Sequence, residues 1–200
     1  MSFLSNFDVT HLIQVFGHLG IFGIVFAETG IFFGFIFPGD SLLFTAGLLA
    51  SQGFLSIEIL VPLVIVGATL GDSFGYWLGS KFGPKIFDRE DSFFFHKKYV
   101  DRTQRFYLKY GAKAVVLSRF VPVVRSFAPF LAGVGSMPYK IFIRYNIIGS
   151  VLWGGGITLL GYFLGRSVPN IEHYLLFIIL AIIAISFIPV AHELVKGRRT

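Results

Sequence analysis

The segment Ala114–Gly133 reads AVVLSRFVPVVRSFAPFLAG, and this stretch decides the fold class. Four residues interrupt its apolar character: Arg119, Pro122, Arg125 and Pro129. A transmembrane helix needs about 20 predominantly apolar residues, and each arm of the segment is shorter than that. We therefore expect residues 114–136 to enter the membrane and return to the same side as a re-entrant hairpin. Such irregular backbone requires cover from protein or from a water-filled cavity.

The composition of the whole chain indicates an integral membrane protein. Of its 200 residues, 54% are hydrophobic and 14% are charged, and 25 are Phe. A soluble domain of this size cannot bury so much apolar surface. The lack of Cys excludes disulfides, thiol nucleophiles and Cys-based zinc sites, and the five His are scattered. We therefore expect no metal, no cofactor and no enzymatic activity.

Basic residues are confined to one part of the chain. All 17 Lys and Arg lie at or after Lys81, and nine of them fall within residues 81–113. The tail, residues 192–200, is also basic. By the positive-inside rule both segments face the cytoplasm, which predicts two crossings between them, Ile141–Leu164 and residues 174–191.

The connector at residues 81–113 mixes basic and aromatic side chains. Between Lys97 and Lys113 they recur at roughly helical spacing, which is typical of an amphipathic helix on an anionic membrane surface. The same interleaving could indicate RNA binding. Because membrane spans flank the connector, we expect no nucleic-acid partner.

The first half of the chain, residues 9–80, has a similar organisation. Residues 55–79 form a predicted spanning helix. The turn sequence Phe37-Pro38-Gly39-Asp40 stands in the middle of an apolar run, so we expect another re-entrant hairpin at about residues 28–52. Residues 9–27 are either a separate crossing or the longer arm of that hairpin.

A weak internal repeat relates the two halves. At an offset of 86 residues, the GYWLG sequence at 75–79 matches GYFLG at 161–165; at an offset of 91, Gly20, Glu28 and Pro38 match Gly111, Arg119 and Pro129. This is either chance similarity or duplication of a unit made of a hairpin and a helix. Residues 114–165 hold the second hairpin and its spanning helix. Because one crossing separates the two hairpins, duplication would make an inverted repeat with its site near the midplane. The predicted fold is one all-α membrane domain, residues 1–200, with transmembrane helices and two opposed re-entrant hairpins.

Four ionisable residues in the hairpins are the main candidates for function. They are Glu28 and Asp40 in the first hairpin and Arg119 and Arg125 in the second. Charges at membrane depth are costly and are functional candidates by default. If the hairpin tips meet, the arginines could bind an anionic phosphate. The carboxylates could then carry a proton or a cation.

Each of these residues also has a structural interpretation. Asp40 could cap the helix that starts at Ser41. Glu28 could form a permanent salt bridge, and Arg119 and Arg125 could extend to the membrane surface.

Asp72 and Arg144 are secondary candidates. Asp72 lies in a ladder of glycines spaced four apart, which favours close helix packing. The ladder comprises Gly67, Gly71, Gly75 and Gly79. Arg144 lies near the cytoplasmic end of its predicted helix, where it can reach water.

Three motifs together resemble the DedA family of VTT-domain membrane proteins. They are Glu28-Thr-Gly-x3-Gly-x3-Pro-Gly-Asp40, Gly71-Asp-x2-Gly-Tyr-x-Leu-Gly79 and Ser118-Arg-Phe-x-Pro-x2-Arg125. The resemblance implies a bacterial inner-membrane protein that moves lipids between leaflets, with undecaprenyl phosphate as a substrate linked to the family. It also implies dependence on the proton motive force. The family's functional acids fall on Glu28 and Asp40, and its arginines fall on Arg119 and Arg125.

The predicted function is therefore that of a lipid flippase coupled to protons or sodium. Arg119 and Arg125 would bind the phosphate of undecaprenyl phosphate or a related anionic lipid, and Glu28 and Asp40 would couple the cycle to the ion. A passive scramblase or a non-transporting scaffold is the alternative. A lipid phosphatase is less well supported, because no His lies between His96 and His173. Homo-oligomer formation is left open.

Overall fold

The described part of the chain is entirely helical. A computed structural model describes residues 9–30, 39–86 and 110–167, and within these ranges it contains helices and turns but no strand. The all-α prediction is thereby confirmed for these residues. The Pro38 turn, residues 97–109 of the predicted amphipathic helix, the span 174–191 and the tail 192–200 lie outside the described residues.

Seven α-helices make up these ranges. A 3-10 turn, Gly111–Lys113, precedes the fourth helix, and a π-helical turn, Val151–Gly155, joins the sixth helix to the seventh. The α-helices are α1 (Val9–Gly30), α2 (Gly39–Ser51), α3 (Ile57–Ile86), α4 (Ala114–Ser118), α5 (Pro122–Val134), α6 (Tyr139–Ser150) and α7 (Gly156–Ser167). Residues 9–27 thus belong to one unbroken helix.

Two helical stretches are long and apolar enough to cross a membrane. They are Ile57–Phe82 and Tyr139–Ser167, and they include the predicted spans 55–79 and 141–164 almost completely. Both present large apolar side chains outward, and examples are Leu70 and Phe74 in α3 and Leu160 and Phe163 in α7. Such surfaces are stable against lipid tails and would promote aggregation in water.

A break in the backbone separates α4 from α5. Pro122 is the first residue of α5, because proline lacks the N–H that a helix interior needs and fits the first helical position. Proline also disfavours the helical conformation of the preceding residue, and Val121 is extended with φ −120° and ψ 102°. Helices of 5 and 13 residues are each too short to span a bilayer. The re-entrant course of this segment stays a prediction.

The described residues form two compact units. Unit 1 contains residues 9–21, 39–61 and 156–167. Its helices α2 and α7 pack with their backbones in close contact. A Cβ atom at Gly47 would overlap the carbonyl oxygen of Thr158, and one at Gly161 would overlap that of Phe44. Glycine is therefore required on both sides of this contact.

Unit 2 contains residues 22–30, 62–86 and 110–155. The glycine ladder of α3 provides its close contacts: Gly71 packs on Thr29 of α1, and Gly79 packs on the carbonyl group of Phe130 of α5. The interpretation of the ladder as a packing surface is confirmed. The ladder brings α1 and α5 against α3, and these helices carry the site described below.

We expect Gly79→Ala and Gly47→Ala to destabilise the protein by about 1–3 kcal/mol, since overpacking a close contact costs that much. Gly20→Ala is the matched control, because a Cβ at Gly20 meets nothing within 4 Å. Alanine favours a helix over glycine by about 1 kcal/mol, so this variant should not be destabilised. Thermal unfolding of the purified variants in detergent measures both effects. Equal unfolding temperatures for all three variants would contradict the packing described.

Candidate functional site

Four buried charged side chains of unit 2 form the candidate site. Glu28, Asp72, Arg119 and Arg125 are 2%, 3%, 3% and 7% exposed, respectively. We call these four residues the charge cluster. Its two carboxylates and two guanidinium groups carry formal charges that cancel, as burial of ionised groups requires.

Arg125 pairs with Glu28. Its Nη2 atom lies 2.5 Å from Oε1 of Glu28. Glu28 reaches this position because the end of α1 crosses the glycine ladder at Gly71, where a Cβ on Gly30 would lie 3.0 Å from the carbonyl oxygen of Gly71. This close contact between backbones brings the end of α1, which carries Glu28, against α3, which carries Asp72.

Arg119 pairs with Asp72 through one nitrogen atom. Its Nη2 atom lies 2.5 Å from Oδ2 of Asp72, 2.7 Å from Oδ1 of Asn146 and 2.9 Å from Oγ of Ser150. Asn146 and Ser150 are one turn apart on α6 and are fully buried. One guanidinium nitrogen therefore faces three acceptors, although it carries two hydrogens.

The two neutral acceptors are themselves held in place by hydrogen bonds. Ser150 Oγ donates to the carbonyl oxygen of Asn146 and accepts from Thr69 Oγ1 as well as from Arg119. Asn146 Nδ2 donates to the carbonyl oxygen of Thr69 at 3.0 Å. Because Ser150 uses its donor and both of its acceptor positions, α6 is fixed to α3 at this level.

Two further donor atoms of Arg119 have no partner within the described residues. Its Nε and Nη1 atoms are buried without a hydrogen bond. A buried donor without a partner costs about 1–3 kcal/mol, so such groups require an explanation. A hydrogen-bond acceptor that binds here would satisfy them. Gly149 leaves room for Arg119, since a Cβ there would lie 2.9 Å from Nε.

Trp153 lies against both arginines. Its ring centre is 5.6 Å from Cζ of Arg119 and 4.9 Å from Cζ of Arg125, both within cation–π range. Trp153 is fully buried and lies in the π-helical turn Val151–Gly155. Single π-helical turns inside α-helices occur frequently at functional sites, and this one carries the indole that contacts both guanidinium groups.

The structure places the predicted residues in different surroundings. Glu28, Arg119 and Arg125 lie in the charge cluster, and the interpretation in which the arginines reach the membrane surface is wrong. Asp40 lies in unit 1, in the first turn of α2, where its side chain is exposed. A carboxylate is favourable at a helix N-terminus. Arg144 is exposed on α6. The carboxylate that contacts Arg119 comes from Asp72, a secondary candidate.

Three residues of the site were not predicted from the sequence, namely Asn146, Ser150 and Trp153. A signal for two of them is present, since Asn146 and Ser150 are polar residues spaced four apart within an otherwise apolar span. Such spacing places both on one helix face. Nothing in the sequence around Trp153 indicates a π-helical turn except the glycines that follow it.

We expect Trp153→Ala to lower stability by about 3–5 kcal/mol, because it leaves a cavity and removes both cation–π contacts. Trp153→Phe should cost less, since a ring remains. Trp77→Ala is the matched control, because Trp77 is the other tryptophan of the chain and is half exposed. Thermal unfolding of the three variants tests this order. A loss for Trp77→Ala as large as that for Trp153→Ala would contradict it.

Comparison with known proteins identifies the family. The VTT domain matches residues 37–163. Protein DedA of Escherichia coli is 40% identical over 207 residues, which cover 100% of this chain and 94% of that protein. An uncharacterized membrane protein of Mycobacterium tuberculosis is 47% identical over 172 residues, which cover 85% of this chain and 75% of that protein. An uncharacterized membrane protein of Mycobacterium leprae is 45% identical over 166 residues, which cover 83% of this chain and 74% of that protein. No solved structure matches. With a domain match over more than half of its length and a full-length relative of this similarity, the chain is a membrane protein that belongs to the DedA family.

Proposed function

We propose that this protein is a lipid flippase that moves undecaprenyl phosphate or a related anionic phospholipid across the bacterial inner membrane. One observation carries the proposal: two buried guanidinium groups share the ring of Trp153 and are paired with carboxylates. The helices that hold them present apolar side chains outward. A charged site inside such a chain is suited to a ligand with an anionic headgroup and an apolar tail.

The arginines are the proposed phosphate ligands. A guanidinium group offers a planar set of donors that matches phosphate oxygens, and it stays charged at any physiological pH. Nε and Nη1 of Arg119, which have no partner among the residues that the structure describes, support this role, because a phosphate oxygen is an acceptor for such donors. The tail of the lipid would stay in the bilayer while its headgroup passes the charge cluster.

Glu28 and Asp40 are the proposed coupling residues. Glu28 contacts Arg125 directly, so a phosphate that binds Arg125 must compete with this carboxylate. A proton or a sodium ion that neutralises Glu28 would favour the exchange, because it weakens the ion pair. Asp40 is exposed in the first turn of α2, and its carboxylate is the second proposed group that takes up the proton or the cation.

The proposed fold contains two opposed re-entrant hairpins in an inverted repeat. The contacts of residues separated by 86 positions support the internal repeat. In unit 1, Gly47 of α2 packs on the backbone of α7; in unit 2, its counterpart Gly133 of α5 packs on the backbone of α3. Residues 81–113 and the C-terminus would face the cytoplasm, in agreement with their basic charge.

A passive scramblase is the second candidate, because the same groups could bind a headgroup without a driving ion. A non-transporting scaffold is the third. Dependence on an ion gradient separates the flippase from the scramblase, and movement of the lipid separates both from the scaffold.

We expect Arg125→Gln to reduce transport at least about tenfold, since a charge-assisted hydrogen bond to the headgroup contributes about 1.5–3 kcal/mol. Glu28→Gln should abolish the response to an ion gradient. Arg144→Gln is the matched control, because it removes an exposed arginine of the same unit. The measurement is leaflet-resolved movement of labelled undecaprenyl phosphate in proteoliposomes, with imposed pH and sodium gradients.

Equal transport by the wild type, Arg125→Gln and Arg144→Gln would contradict the proposed role of the charge cluster. Transport that ignores both gradients would favour the scramblase. Release of inorganic phosphate from undecaprenyl pyrophosphate would favour the phosphatase. If the wild type moves no lipid and the charge-neutralising variants lose their folding, the scaffold is favoured.

A further inference from the structure

We infer that Asp72 competes with the lipid headgroup for Arg119, so that each arginine of the charge cluster has its own displaceable carboxylate. The inference rests on the proposed function and adds a coupling residue to it. Asp72 pairs with Arg119 just as Glu28 pairs with Arg125. When the phosphate binds Arg119, Asp72 releases the guanidinium group and takes up a proton or a cation.

The burial of the pair is the first argument. Asp72 and Arg119 are both almost completely buried. A buried ion pair contributes little to stability compared with apolar residues of the same size, because desolvation offsets the attraction. The close packing of α3 is already provided by Gly71, Gly75 and Gly79. Neither helix packing nor a gain in stability over apolar residues therefore explains why the Asp72–Arg119 pair as a whole stands at this position.

The distribution of hydrogen bonds around Arg119 is the second argument. Asn146 and Ser150 hold Nη2 without charge, while Nε and Nη1 have no partner in the described part of the chain. If Asp72 moves away, the guanidinium group keeps its two neutral contacts and its position. An entering phosphate then finds free donors on a side chain that is already oriented.

Charge balance is the third argument. The charge cluster is neutral, with Glu28 on α1, Asp72 on α3, and the two arginines on either side of the backbone break. Three charged side chains on the adjacent helices within the described part of unit 2 are exposed: Lys81 on α3, and Lys140 and Arg144 on α6. They cannot balance a buried charge. A phosphomonoester bound to Arg119 brings between one and two negative charges near neutral pH, and a proton or cation on Asp72 removes one of them.

The test measures binding of farnesyl phosphate to the full-length protein in nanodiscs. Trp77→Phe provides the background, because Trp153 is then the single tryptophan and its fluorescence reports on the charge cluster. Farnesol, which lacks the phosphate, is the ligand control. In this background we expect Asp72→Asn to bind farnesyl phosphate about tenfold more tightly, since the competing charge is gone.

Three further variants separate competition from other effects. Asn146→Ala removes a neutral acceptor of the same nitrogen atom without changing the charge, and it should not bind more tightly than the background, because it loses a contact that orients Arg119. Asp72→Glu keeps the carboxylate and should not bind more tightly. Glu58→Gln removes an exposed acid from the same helix and should have no effect. The inference is supported if Asp72→Asn binds farnesyl phosphate more tightly than the background and none of the three control variants does.

Folding provides a separate measurement. Asp72→Asn leaves Arg119 buried without a countercharge. Farnesyl phosphate should therefore raise the unfolding temperature of Asp72→Asn by more than it raises the unfolding temperature of the background protein. Weaker or equal binding by Asp72→Asn would overturn the inference while the proposed function stands. A variant that stays unfolded even with the ligand would also overturn it, because the phosphate then cannot replace the carboxylate. If the background responds equally to farnesol and farnesyl phosphate, the proposed function itself fails.

Discussion

Ionised groups that are removed from water require partners of opposite charge, and this constraint organises the second compact unit. Arg119 and Arg125 are both almost fully buried, so each must contact a carboxylate or pay several kcal/mol in desolvation. Glu28 and Asp72 meet that need from two different helices. The ion pairs therefore tie α1, α3 and the broken segment 114–134 together, and the positions of these elements depend on them.

Irregular backbone brings the four charges together. Arg119 and Arg125 are six residues apart, and no regular helix places them on one face. Pro122 interrupts the helix between them, and both guanidinium groups then reach the ring of Trp153. The π-helical turn that carries Trp153 is a further interruption. Each of these features is unfavourable for a simple membrane-spanning helix, and all of them contribute to one polar site.

The sequence predicts the class of fold and part of the site. Intramembrane charge alone identifies Glu28, Arg119 and Arg125, because such residues are costly wherever they occur. Pairing is not predictable in the same way. Asp72 is a secondary candidate in the sequence because it lies in a glycine ladder, yet it is the carboxylate that contacts Arg119. The position of Trp153 depends on the π-helical turn, a local change in helix geometry that the helix propensities of the residues do not predict.

The central claim is that the buried arginines are held by carboxylates across helices, and a double-mutant cycle tests it most directly. Unfolding free energies would be measured for the wild type, Glu28→Gln, Arg125→Gln and the double variant in the same detergent. The account predicts a coupling energy of about 1–3 kcal/mol, because each single variant leaves the other group buried without its partner. Additive effects of the two substitutions would contradict it.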